Sequence, residues 1–167
     1  LLFYIATFSL SVVLVSIGLR KKIRLFAWTG LLVPILVSGL RLGVGTDYYT
    51  YVSLYNSLKN YTFSEYLQGG PTEIGFYLIG TFSRMIGDSE MLMFFGFSML
   101  TVIFFYLGLN RYQLRHKSII YFLFIFTIYP GSFNLVRQSA AISIAFYANS
   151  FLLEKKRVKF LLLMLLA

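Results

Sequence analysis

Residues 1–19 read LLFYIATFSLSVVLVSIGL, and RKKIR follows at once at residues 20–24. The first stretch carries no charge, and its length is close to the roughly 20 apolar residues that cross a hydrocarbon core of about 30 Å. The second is a block of four cations, Arg20, Lys21, Lys22 and Arg24. An apolar run closed by cations reads as a membrane span halted at the lipid–water boundary.

The same alternation runs outward through the chain. Of its 167 residues, 58% are hydrophobic, 19% aromatic and only 13% charged, an excess of apolar surface that a soluble domain of this size does not need. The net charge of +9 does not mark a nucleic-acid binder, because the cations fall in short clusters between apolar runs and not along one soluble face. Cysteine is absent, which excludes disulfides and thiolate metal sites. The chain begins without a methionine or a basic leader and ends in FLLLMLLA, so both ends read as cut and the whole as a single transmembrane domain from a longer protein.

Further apolar segments lie at 25–40, which contains Pro34, and at 73–87, 91–109, 118–129 and 134–153. Pro34 removes one helical hydrogen bond, a gap tolerated where neighbouring helices satisfy the freed carbonyl. Between Arg41 and Thr72 the chain turns polar. There Tyr48, Tyr51, Val52, Tyr55 and Leu58 recur at helical spacing, predicting a helix in the membrane interface. Thr62 with Glu65 predicts a capping box, and Gly69, Gly70 and Pro71 a break.

Eleven of the fifteen basic residues sit in three clusters, at 20–24, 111–117 and 155–159. Placing all three on the cytoplasmic side requires that 73–87 not cross. The expectation is an all-α polytopic integral membrane protein with about five full spans, a re-entrant or interfacial outer-face segment within 41–90, and a truncated sixth span. Arg41, Asp47, Glu65, Glu73, Asp88, Glu90 and Arg137 then share the outer face.

Ionisable groups at membrane depth cost about 2.5–3.5 kcal/mol each and usually face a cavity or a partner. Arg137, in NLVRQSAAISIAFYA with Gln138 beside it, is either an arginine snorkelling to headgroups or an anion clamp. Arg41, in RLGVGTDYYTYVSLY at 41–55, is either an interface anchor or a partner to an anion nest made by Gly43 and Gly45. The GVG triplet lacks the strand, spacing and lysine of a nucleotide fingerprint, and no cofactor is indicated. Asp47 either caps the helix after it or serves as a base, and Glu73 either complements its own helix dipole or does the same. His116, the single histidine, reads as a solvated loop residue.

RLGVGTDYYTYVSLY, EIGFYLIGTFSRMIG, NLVRQSAAISIAFYA and a KKRVKF basic turn, in that order, resemble the EpsG family of Wzy-like polysaccharide polymerases from about Leu36 to Ala167. The resemblance implies a multi-pass protein of the bacterial inner (plasma) membrane. It implies an enzyme that transfers a growing glycan from undecaprenyl pyrophosphate to the next lipid-linked repeat unit at the outer face. The implied partners are that lipid-linked oligosaccharide, the bilayer and other polysaccharide assembly proteins, with no nucleic acid. The family's motif residues fall on Arg41, Asp47, Glu73, Arg137 and Gln138. Arg41, Gly43, Gly45, Arg137 and Gln138 are thereby candidate substrate ligands, and Asp47 and Glu73 candidate catalytic carboxylates. A flippase of lipid-linked sugars or a non-catalytic membrane subunit would use the same arginines without transfer.

Overall fold

The computed structural model describes residues 1–167, all of whose regular structure is helical. In chain order the helices are α1 (Leu2–Lys21), α2 (Arg24–Gly39), α3 (Tyr48–Ser57), α4 (Phe63–Gly69), α5 (Ile74–Gly87), α6 (Glu90–Arg111), α7 (Lys117–Leu123), α8 (Val136–Leu153) and α9 (Arg157–Leu166). Beyond α7 the chain continues through a π-helical turn, Phe124–Ile128, and a 3-10 turn, Tyr129–Phe133. The capping box at α4 forms as expected, with the Glu65 N–H donating to Thr62 Oγ1 and the Thr62 N–H to Glu65 Oε2.

Two helices, α1 and α6, are long and apolar enough to cross a membrane. This corrects the expectation of about five full spans and a truncated sixth, and with it the multi-pass placement in a bacterial inner membrane. The reasons are length and polarity. Helix α2 has 16 residues and reaches only about 24 Å at 1.5 Å per residue, short of a core of about 30 Å. The α-ladder of α7 stops after 7 residues, where the hydrogen-bond register changes. Helix α8 includes Arg137, Gln138 and Asn149 among its 18 residues, and α9 has 10.

Why these helices pack as they do follows from one missing donor. Pro34 lies inside α2 and has no N–H, so the carbonyl four residues earlier, Gly30 O, loses its helical partner. Ser11 Oγ on α1 donates to that carbonyl at 2.7 Å and shares a 2.9 Å hydrogen bond with the buried Tyr121 hydroxyl on α7. Lower in the bundle, the Tyr129 hydroxyl donates to Pro34 O at 2.7 Å and lies 2.6 Å from Ser98 Oγ on α6. Two side chains thus reach the backbone of α2 and two more bond to them, in a core built from Phe8, Val15, Leu31, Ile35, Val102, Tyr121, Ile125 and Tyr129.

Close approach of α1 to α2 depends on glycine. A Cβ at Gly18 would stand 2.6 Å from the Ala27 nitrogen, and one at Gly30 would stand 2.8 Å from Val15 Cγ2. These contacts make α1 and α2 antiparallel, while Gly39 against Phe95 and Trp28 against Tyr106 set α2 antiparallel to α6. The Arg111–Glu154 ion pair and the packing of Phe104 on Tyr147 set α6 parallel to α8. Consequently the C-terminal ends of α1, α6 and α8, with their cations, gather at one end of the bundle. The loop after α2 and the start of α8 meet at the other.

The tyrosine stripe differs from its expected role. Tyr48, Tyr51, Tyr55 and Leu58 are buried and form a second core with Phe76, Phe94, Phe97, Val136 and Ala140. A half-polar helical stripe looks alike in sequence whether it faces lipid headgroups or a neighbouring helix. Here α5 and α6 supply the covering surface.

If Ser11 replaces the donor that Pro34 lacks, Ser11→Ala lowers the unfolding free energy by about 1–3 kcal/mol, the cost of orphaned buried polar groups. Pro34→Ala restores an N–H for Gly30 O, so Ser11→Ala measured in that background is the milder change. Equal losses in both backgrounds, in a chemical unfolding series in detergent, would exclude this role for Ser11.

Candidate functional site

Arg41 directly follows the C-cap of α2, and only 4% of it is exposed. Its guanidinium carbon lies 4.5 Å from the Phe94 ring centroid and 4.7 Å from that of Phe133, so the planar cation is held between two aromatic faces. Nε, Nη1 and Nη2 are all buried and none has a hydrogen-bond partner. Burial draws the side chain below the ordinary arginine pKa. Each desolvated ring face recovers about 2 kcal/mol, against several kcal/mol for removing the ion from water. The uncompensated part is the fork of N–H donors, the geometry that pairs with carboxylate or phosphate oxygens.

The loop after Arg41 is pinned to the start of α8. Gly43 and Gly45 both have positive φ, 65° and 107°. A Cβ on Gly45 would stand 2.8 Å from the Phe133 carbonyl oxygen and 2.9 Å from Asn134 Oδ1. The Thr46 N–H donates to Asn134 Oδ1 at 2.8 Å. The amide at Thr46 is therefore directed into the protein and not toward a shared anion nest. What Gly45 achieves is contact: it brings the Arg41 loop against the segment that carries Phe133 and, one turn later, Arg137.

Arg137 lies in the first turn of α8 and forms an ion pair with Glu73, whose side chain is largely exposed. Glu73 occupies the N-cap position of α5 but makes no capping hydrogen bond there. Its carboxylate turns to Arg137 instead. The Arg137 guanidinium also stands 5.9 Å from the Tyr51 ring and 6.0 Å from Phe76. Tyr51 meets Phe94 edge to face at 6.3 Å, so both arginines border one aromatic cluster, Arg41 inside it and Arg137 at its rim.

Asp47 is exposed at the N-cap of α3, without a capping bond, and accepts only a 3.3 Å hydrogen bond from Thr46 Oγ1. Gln138 is exposed beside Arg137. The fold thus brings together Arg41, Gly43, Gly45, Asp47, Glu73, Arg137 and Gln138 at one end of the bundle, with Glu73 and Arg137 in direct contact. Sequence reasoning missed Phe94, Phe133 and Asn134. Asn134 heads the NLVRQ motif, which is a signal of sorts, whereas nothing along the chain singles out two of eighteen phenylalanines as walls for an arginine. Beside this site the first half of α1 and the end of α2 border an open pocket of about 340 Å³ lined by Phe3, Tyr4, Leu36, Val37 and Val44, with Arg41 as its one charged lining residue.

Fold and site together define a class: an all-helical protein, two of whose helices can cross a membrane, with a paired-arginine site in an aromatic setting at one end. The chain belongs to the EpsG family, whose family model matches residues 24–167. No curated protein and no solved structure matches it.

Gly45→Ala combines a disfavoured φ with a backbone clash, and strain of this kind costs about 1–3 kcal/mol. The expected result is a lower Tm for Gly45→Ala, while Asn134→Asp, which keeps the Oδ1 acceptor, stays near wild type. An unchanged Tm for Gly45→Ala would show that the loop does not depend on this contact.

Proposed function

We propose that this chain supplies the pyrophosphate-binding part of a polysaccharide polymerase. In this reading the enzyme transfers a growing glycan from a lipid pyrophosphate carrier, undecaprenyl pyrophosphate, to the next lipid-linked repeat unit at a membrane surface. Membership of the EpsG family supports the class of reaction. The observation that carries the site is Arg41, a buried guanidinium with every nitrogen unpartnered.

In the transfer, the acceptor hydroxyl oxygen bonds to the anomeric carbon as the bond from that carbon to the pyrophosphate oxygen breaks. The electron pair leaves on pyrophosphate, and the hydroxyl proton passes to a base. Negative charge grows on the leaving group, and fixed cations in a water-poor site stabilise it most there. In this reading Arg41, inside one aromatic cluster, and Arg137, at its rim, supply those cations. The pyrophosphate, in this reading, reaches the Arg41 donors only by parting the Phe94 and Phe133 rings that cover them.

The two carboxylates divide the remaining work. Glu73 is engaged by Arg137 and holds it in place. Asp47 is exposed and bound by no cation, which leaves its lone pairs available to accept the acceptor's proton. Gln138 offers an amide to sugar hydroxyls. The apolar cavity beside Arg41 fits the first carbons of a lipid chain.

The test uses the full-length protein with lipid-linked repeat units and gel separation of the glycan products. Arg41→Ala and Arg137→Ala are expected to abolish long polymer while the protein accumulates normally. Arg41→Lys should not restore it, since a lysine lacks the planar fork that fits between two rings. Asp47→Asn should lower kcat with KM little changed, and Glu73→Gln should raise KM. A normal ladder from both arginine variants would overturn the assignment, and a wild-type protein that moves lipid-linked units without lengthening them would be a transporter.

A further inference from the structure

At the opposite end of the bundle a cavity of about 430 Å³ is lined by residues that include Arg20 from α1, Asn110 from α6, Arg115 and His116 from the connecting turn, and Lys117 from α7. It holds three permanent cations, Arg20, Arg115 and Lys117, and no carboxylate lines it. None of the three takes part in an ion pair, and the one acid at this end, Glu154, is already shared between Arg111 and Lys156. Lys117 Nζ donates to the Asn110 carbonyl at 2.8 Å, which holds that ammonium at the wall.

The position of this pocket indicates its ligand. It lies where α1 and α6 both end, the two helices long and apolar enough to cross a membrane, and with these helices across a bilayer it would stand at headgroup level. Below it the bundle presents exposed apolar side chains, Ile119, Phe122 and Leu123 on α7 and Leu10 and Val13 on α1. A ligand that matches both surfaces has a phosphate at one end and hydrocarbon at the other. We propose that this pocket binds the phosphate headgroup of an anionic phospholipid, with the acyl chains lying along α1 and α7. The site is separate from the arginine site and independent of the polymerase reading.

The experiment takes the full-length protein in a neutral detergent and titrates it with phosphatidylglycerol, with phosphatidylcholine and with inorganic phosphate, following binding by native mass spectrometry. Phosphatidylglycerol should bind at least about tenfold more tightly than phosphatidylcholine, because each surface cation is worth roughly five-fold toward an anionic lipid. Arg20→Gln with Arg115→Gln, which leaves the Lys117 anchor intact, should remove that preference without changing the Tm. Lys155→Gln with Arg157→Gln, at the same end but outside the pocket, should keep it. Equal loss in the two double variants would reduce the effect to general surface charge and overturn the site. Inorganic phosphate binding as tightly as the lipid would overturn the assignment to a lipid, and equal binding of the two lipids would overturn the proposal as a whole.

Discussion

The missing N–H of Pro34 is the constraint on which the rest of the bundle depends. A helix that loses one hydrogen bond in an apolar interior exposes a carbonyl that must find another donor. In this protein the donor comes from a different helix, and its hydroxyl is bonded in turn to a third. A second hydroxyl, from Tyr129, adds to the same stretch of α2 and reaches α6. Polar atoms buried among Leu31, Ile35, Val102 and Ile125 allow few alternative partners, so the register of four segments is tied to one proline. The end of α2 is set by that register, and Arg41 is the second residue beyond it.

Charge divides along the bundle axis. Three cationic clusters collect where α1, α6 and α8 end, while five of the six carboxylates fall between residues 47 and 90, toward the arginine site. At the cationic end most charges face water or the open pocket. At the arginine end one guanidinium, Arg41, is shut between rings, and the other, Arg137, is paired with Glu73 at the rim. The first arrangement suits an anion that stays at a surface. The second suits one whose charge must be stabilised away from water.

Much of the arginine site was legible along the chain, and for identifiable reasons. Arg41 and Arg137 stand out because an arginine at the edge of an apolar run is costly, whereas Asp47 and Glu73 come forward as carboxylates at helix starts within the family motifs. The roles of Gly43 and Gly45 were harder to read. Spacing shows two permissive residues, but only the packed chain shows that Gly45 is needed for contact with Phe133 and Asn134. The tyrosines mislead because amphipathic periodicity reports that one face is apolar and not what covers it. Segments 25–40 and 118–129 mislead because hydropathy alone does not reveal a short helix or a change of hydrogen-bond register, and 134–153 because Arg137, Gln138 and Asn149 interrupt its apolar character.

By itself the sequence determined the helical class, the apolar character of α1 and α6, the cationic clusters, the capping box at Thr62 and Glu65, and the residues of the EpsG family motifs. These are local properties, set by side-chain polarity, spacing and backbone preference within a few turns. Tertiary structure alone decided that Arg41 lies between Phe94 and Phe133, that Glu73 pairs with Arg137 across 64 residues, and that Ser11 completes the helix broken by Pro34. Those contacts join groups far apart in the chain, and their formation depends on how helices dock, which no local pattern encodes.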